Sequence, residues 1–189
     1  MALSDENHRD GDRSSRARPL IVVMGVSGVG KTTIARLLAD RLGLPYAEAD
    51  DFHPAANIAK MSAGIPLDDA DREPWLRALA GWLRERGEAG TGGVVTCSAL
   101  KRRYRDLLRE GCPAAFFLHL DGSRGLVAGR IALRTGHFMP PSLLDSQYAL
   151  LEPLQPDERG AVLELGGHTP HELVESAVTL LRPVNGDLD

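Results

Sequence analysis

The sequence predicts an α/β fold with five strands in a mostly parallel sheet, helices on both faces and a small lid. Two observations carry this. Strand-length apolar runs alternate with stretches of helical periodicity in a βαβαβαβαβα order along the 189 residues, which demands helical crossovers between parallel strands. The first run, Leu20-Ile21-Val22-Val23-Met24, passes through a glycine-rich loop directly into a helix that ends near Leu42. An apolar content of 43 % suits a single domain, expected over 20–182. Residues 1–19 are polar and read as a disordered tail, and 183–189 as a short C-terminal tail.

The loop is Gly25-Val26-Ser27-Gly28-Val29-Gly30-Lys31-Thr32, followed by Thr33. It fits G-x-x-x-x-G-K-[ST] in the strand–loop–helix setting that the pattern requires. Glycines let backbone N–H groups close around a phosphate, and the following helix adds its positive end. Lys31 is expected to reach the outer phosphates and the Thr32 hydroxyl to ligand Mg²⁺. The chain should therefore bind a nucleoside triphosphate on a P-loop NTPase fold.

Beyond the turn at Gly43 and Pro45, Tyr46–Asp50 reads as a short second strand whose end carries Glu48, Asp50 and Asp51. Ligands of open α/β sheets sit beyond the carboxyl ends of strands, so these acids should face the phosphate loop. Pro54 follows His53 and should start a helix to about Ser62, with Asn57 and Lys60 on it. Ile65 to Trp75 reads as an acidic loop holding Pro66 and Pro74, and a helix then runs to about Arg86. Trp75, Leu76, Leu79, Trp82 and Leu83 recur on that helix as a packing face rather than as base-stacking residues.

Val94–Ser98 is expected as a buried third strand, and a basic helix begins at Lys101. Most of its arginines read as a solvated face, whereas Ser98 and Lys101 lie where substrates bind. The fourth strand, Ala115–Leu120, holds His119 as a core or sheet-face histidine and closes on Asp121. An acid there either organises a metal or caps a helix, and the immediate helix favours the cap. From about Arg124 to Arg134 a helix places Arg130 and Arg134 at i and i+4. The Gly- and Pro-bounded segment after it suits a lid over about 130–142. A helix over Ser142–Leu150, a strand over Ala161–Leu165 and a helix over His171–Leu181 complete the order.

Other classes are disfavoured. A net charge of −4 argues against nucleic-acid binding through a positive field, and no apolar run has the length of a membrane span. Two cysteines, Cys97 and Cys112, lack metal-ligand spacing and suit a cytoplasmic protein with reduced thiols. None of the three lysines (Lys31, Lys60, Lys101) has an Asp two residues later, which removes the guanine-recognition pattern of nucleotide switches. The third strand ends without a carboxylate, unlike motor ATPases, so the acid near Mg²⁺ must come from elsewhere, and the nearest candidates are Glu48 and Asp50. A small-molecule kinase fits: a held γ-phosphate, an acid facing the attacking hydroxyl, and lid arginines over the charge that develops in transfer.

With the phosphate loop, four further blocks closely resemble the gluconokinase family. They are Asp50-Asp51-Phe52-His53-Pro54 with Asn57 and Lys60-Met61, Gly64 to Leu76, Cys97 to Lys101 with Tyr104-Arg105-Asp106, and Gly136-His137-Phe138 behind Arg130 and Arg134. The resemblance implies ATP-dependent phosphorylation of D-gluconate on its 6-hydroxyl, on a nucleoside-monophosphate-kinase-like fold. It implies Asp50 facing the substrate hydroxyl, and His53, Lys60, Arg72, Ser98 and Lys101 lining the substrate pocket. Arg130 and Arg134 would clamp phosphates, with Thr32 and Glu48 toward Mg²⁺. Oligomeric state is not legible from the residues, and the resemblance raises a homodimer as a possibility. A shikimate kinase would share the acid pair and basic pocket but leaves His53-Pro54 and Asp71-Arg72-Glu73-Pro74-Trp75 unexplained.

Overall fold

The computed structural model describes residues 17–133 and 141–181. Arg134, most of the expected lid, the C-terminal tail and the N-terminal tail up to residue 16 lie outside the described residues. The elements are β1 (Leu20–Met24), α1 (Lys31–Leu42), β2 (Tyr46–Ala47), a 3₁₀ turn (Ala49–Phe52), α2 (Ala55–Ser62), α3 (Asp69–Glu88) and β3 (Gly93–Thr96). They continue with α4 (Arg102–Gly111), β4 (Phe116–Asp121), α5 (Arg124–Ala132), α6 (Pro141–Leu150), β5 (Gly160–Glu164) and α7 (Pro170–Leu181).

The five strands pair in the order β2-β3-β1-β4-β5, and every pairing is parallel. β1 is central, so all five of its residues are buried and the phosphate loop springs from the best-anchored strand. Successive β1 side chains feed opposite faces, as the pleat requires. Ile21 and Val23 join a core with α1 and α7, through Ile34, Leu38, Leu173 and Val174. Leu20, Val22 and Met24 join a second core with α3 and α4, through Trp75, Leu76, Leu79, Tyr104 and Leu108.

Four local expectations are corrected. β2 stops at Ala47, because the Ala49 N–H turns to the Thr96 hydroxyl and the acid-rich residues beyond coil into the 3₁₀ turn. Helix α3 starts at Asp69 rather than near Trp75. Asp68 and Asp71 form a reciprocal capping box that outweighs the hydrogen bond forfeited at Pro74 inside the helix. Asp121 stays in β4, and the α5 cap is Ser123, whose side chain accepts from the Leu126 N–H. Arg105 of α4 is fully buried rather than solvated. His119, in contrast, is the buried sheet histidine expected, with burial lowering its pKa.

Candidate active site

The phosphate loop is held open by backbone conformations that side chains disfavour. Gly30, at φ 98°, is the left-handed residue that starts α1, and no side chain caps that helix end. Gly28 has φ 87°, and a Cβ there would stand 2.5 Å from Cγ1 of Ile131, so α5 lies directly over the loop. The first turn of α1 carries no acid, which leaves its N-terminal field available to an anion. Lys31 bends back and donates to the carbonyls of Gly25 and Val26, at 3.0 Å each. Ser27 is gripped from α6: its N–H donates to Gln147 Oε1 at 2.6 Å, and the Gln147 amide donates to its hydroxyl at 3.0 Å.

A cleft of about 370 Å³ opens on the inner side of this loop, lined among others by Ser27, Lys31, Thr32, Glu48, Asp50, Trp75 and Ser98. Glu48 and Thr32 come together as the sequence suggests. Burial raises the Glu48 pKa, but hydrogen bonds from Thr96, Tyr46 and Thr32 outweigh it and hold the carboxyl below its ordinary value. The result is an ionised carboxylate beside a hydroxyl at the foot of the phosphate loop. Asp50 is in the 3₁₀ turn at the cleft wall. Cys97 also lines the cleft, but burial pushes its thiol up to about 12, so it stays protonated.

Trp75 packs as expected, at 5 % exposure with Nε1 donating to the Ala49 carbonyl at 2.7 Å. It is also a cleft wall, and it stacks on His53 with ring centroids 4.4 Å apart and planes 14° apart. The cations expected for substrate separate into two groups. Of the residues expected for substrate, Asp50 and Ser98 line the cleft, whereas His53, Lys60, Arg72 and Lys101 do not; Lys60 grips both carboxylate oxygens of Asp71, at 2.6 and 2.7 Å, and ties α2 to α3. Arg72 and Lys101 converge on the Tyr104 ring, at 5.8 and 5.5 Å from its centroid. Lys101 also lies 3.4 Å from Asp69, which Arg103 and the Tyr104 hydroxyl share.

Ser98 begins a tight segment, and its carbonyl accepts from the Gly25 N–H at 3.3 Å, joining it to the phosphate loop. Next to it, Ala99 has φ 42°, the single left-handed non-glycine among the described residues. Arg105 braces the strain by donating to the Ala99 and Leu100 carbonyls at 3.1 and 3.2 Å. The arginine is itself held by Glu158, at 2.6 and 3.0 Å, with both side chains fully buried. Gln147 and Glu158 are site-supporting residues that the sequence does not single out, and Arg105 stands in one of the resemblance blocks without an assigned role. For Arg105 the available signal is its place beside Tyr104 and Leu108 on the packed side of α4.

On the outer side of the loop a second cavity of about 370 Å³ is bordered by Gly30, Thr33, Ile34, Arg130, Pro170 and Leu173. There Arg130 donates to the Val29 carbonyl at 3.2 Å. Among the described residues no cluster of three or more His, Cys, Asp or Glu could hold a metal unaided. No described helix is long and apolar enough to cross a membrane.

Comparison with known proteins identifies the family and the fold. A family model described as shikimate kinase matches residues 27–153. A gluconokinase from Gluconobacter oxydans is 53 % identical over 154 residues, covering 82 % of this chain and 85 % of that relative. A crystal structure of an unliganded sugar kinase from a Janibacter species is 58 % identical, with TM-score 0.79, covering 87 % of this chain and 94 % of that one. The structure of a gluconokinase from Sinorhizobium meliloti is 44 % identical, with TM-score 0.76, covering 87 % and 92 % respectively. The chain belongs to the gluconokinase family, built on the P-loop kinase domain it has in common with the shikimate kinases.

Proposed function

We propose that the chain transfers the γ-phosphoryl group of ATP to the 6-hydroxyl of D-gluconate, giving 6-phospho-D-gluconate. The observation that carries the reading is the cleft in which Lys31 and Thr32 face Asp50, with the Arg72–Lys101 pair nearby. An anionic polyol needs cations for its carboxylate and a few fixed polar groups for its hydroxyls. Phosphoryl transfer needs a held phosphate and an acid beside the attacking hydroxyl.

In this reading the N–H groups of residues 25–33 and Lys31 hold the triphosphate. Lys31 exchanges its contacts with the Gly25 and Val26 carbonyls for phosphate oxygens. Asp50 orients the 6-hydroxyl and accepts its proton. Arg72 and Lys101 meet the carboxylate end, His53 and Ser98 meet hydroxyls, and Lys60 acts from behind by fixing Asp71. Arg130 reaches the phosphates from the outer side, and Arg134 completes the clamp.

The donor set at Thr32 and Glu48 fits Mg²⁺, a hard cation that takes few protein oxygens and keeps phosphate oxygens and water. Bound there, the ion would offset phosphate charge. We also propose that the chain acts in the cytoplasm as a homodimer; light scattering on the purified chain tests the dimer. The deciding experiment is coupled ADP release across D-gluconate, other aldonates, shikimate and nucleoside monophosphates. Gluconate should give by far the highest kcat/KM; no gluconate-dependent turnover would sink the proposal.

A further inference from the structure

Asn57 is the buried residue of α2, 3 % exposed, and stands between α3 and His53. Its Nδ2 lies 2.8 Å from the Asp71 carbonyl oxygen and 3.3 Å from Nδ1 of His53. A carbonyl only accepts, so the amide atom facing Asp71 must be the nitrogen. Turning the amide over would set two acceptors against each other in a buried place. The same nitrogen has a second hydrogen, and it points to His53. Nδ1 is therefore the acceptor of the ring, and in a neutral imidazole the proton then resides on Nε2.

Two further features hold that state. Trp75 stacks on the ring and fixes its plane. Burial, aided by the charge of Arg72 and opposed by that of Asp50, lowers the His53 pKa and keeps the ring neutral near pH 7. Among the described residues, no protein group hydrogen-bonds Nε2.

We infer that Asn57 is a positioning residue that fixes His53 in the Nε2–H tautomer, so that the ring acts as a hydrogen-bond donor to an oxygen of the bound sugar acid. The inference rests on the reading of this cleft as the gluconate site. It restricts His53 to one role. Nε2–H has no lone pair with which to take a proton from the attacking hydroxyl, so the ring is not the general base and Asp50 keeps that task. It also sets a filter: the substrate atom facing the ring must accept a hydrogen bond, and an ammonium in its place is rejected.

Long-range ¹H–¹⁵N correlation of the labelled, substrate-free protein near pH 7 tests the tautomer directly, with the His53 pattern assigned by its loss in His53→Gln. The expected pattern is the Nε2–H tautomer; an Nδ1–H tautomer or an imidazolium overturns the inference whatever the substrate is. Asn57→Ala should give mixed tautomers, and a pure Nε2–H pattern in that variant removes Asn57 from the role. If Asn57→Ala does not fold, the wild-type spectrum and two His53 variants decide. Glutamine can place an amide donor near the Nε2 position, whereas asparagine reaches only the Nδ1 position. His53→Gln should hold the gluconate KM within about fivefold, and His53→Asn should raise it about tenfold or more. Equal KM values for the two overturn the donor role. Absence of gluconate turnover in the wild type overturns the substrate reading and the filter, while the spectrum still decides the tautomer and the part Asn57 plays in it.

Discussion

Replacing Arg105 by Met should destabilise the protein far more than a surface arginine would, by an amount that can be built from its contacts. The guanidinium has five hydrogen bonds: two to Glu158 and one each to the carbonyls of Ala99, Leu100 and Pro153. Leu100 keeps the Glu152 N–H and Pro153 keeps the Gln155 amide, so Ala99 is the carbonyl left without its donor. Glu158 keeps the Gln155 N–H at 2.9 Å and Arg102 at 3.6 Å, but its carboxylate stays buried without its main counter-charge.

Breaking such a pair costs about 3–5 kcal/mol, which in a domain of this size lowers Tm by roughly 6–20 °C. Scanning calorimetry of Arg105→Met and of Arg105→Met/Glu158→Leu checks this. The double variant should recover most of the loss, since no charge is then buried. Its gluconate KM should stay raised, since Ala99 still lacks its brace. A Tm within about 2 °C of wild type for Arg105→Met, or a double variant no better than the single, refutes the reasoning.

The pH dependence has a definite sign. Burial raises the Glu158 pKa, but the Arg105 hydrogen bond and other contacts outweigh it, so the carboxyl is held below its ordinary, unfolded-state value. The stabilisation is therefore present above the unfolded value and lost as pH falls through the folded one. In Arg105→Met the buried carboxyl instead protonates early and is relieved by acid. The Tm gap between wild type and variant should narrow on acidification from pH 7.

Other outcomes follow from the loop and the cleft. Lys31→Ala should abolish transfer while leaving the Tm within a few degrees, and near-wild-type kcat would contradict its role. Asp50→Asn should lower kcat by about 10² or more with little change in ATP KM; a variant that mainly weakens ATP binding makes Asp50 a metal-site residue instead. Gly28→Ala must take up a left-handed backbone and displace Ile131, and should raise ATP KM. Gly28→Ala/Ile131→Ala removes the clash alone and should recover only part of the loss, so full recovery would show that φ does not matter there.

The phosphate loop and parallel sheet are legible because strand, glycine spacing and helix all lie within one continuous stretch. Glu48 and Thr32 pair by the rule that ligands gather beyond strand ends. Where the sequence misleads, distant residues decide. β2 ends early because Thr96, on another strand, claims the Ala49 N–H. The start of α3 is easily misplaced because Pro74 weighs more in a local reading than a cap six residues before it. Arg105 looks like one more arginine of a basic helix, and its partner Glu158 is 53 residues away. The resemblance implies Lys60 as a substrate contact, and the fold adds that it is also paired with Asp71 on the next helix.

The alternation of β1 side chains between two separate cores bears on how such a kinase changes over evolutionary time. Residues behind the outer cavity, such as Ile34 and Leu173, belong to one interior, and Ala49, Trp75, Ala99 and Tyr104, on the acceptor side in the proposed reading, belong to the other. Heritable change in the acceptor interior can reshape which sugar acid is taken while the triphosphate interior is left unaltered. Conditional lesions should sort the same way, some impairing the grip on ATP and others the choice of acceptor. A single buried strand is the partition between these two evolvable compartments.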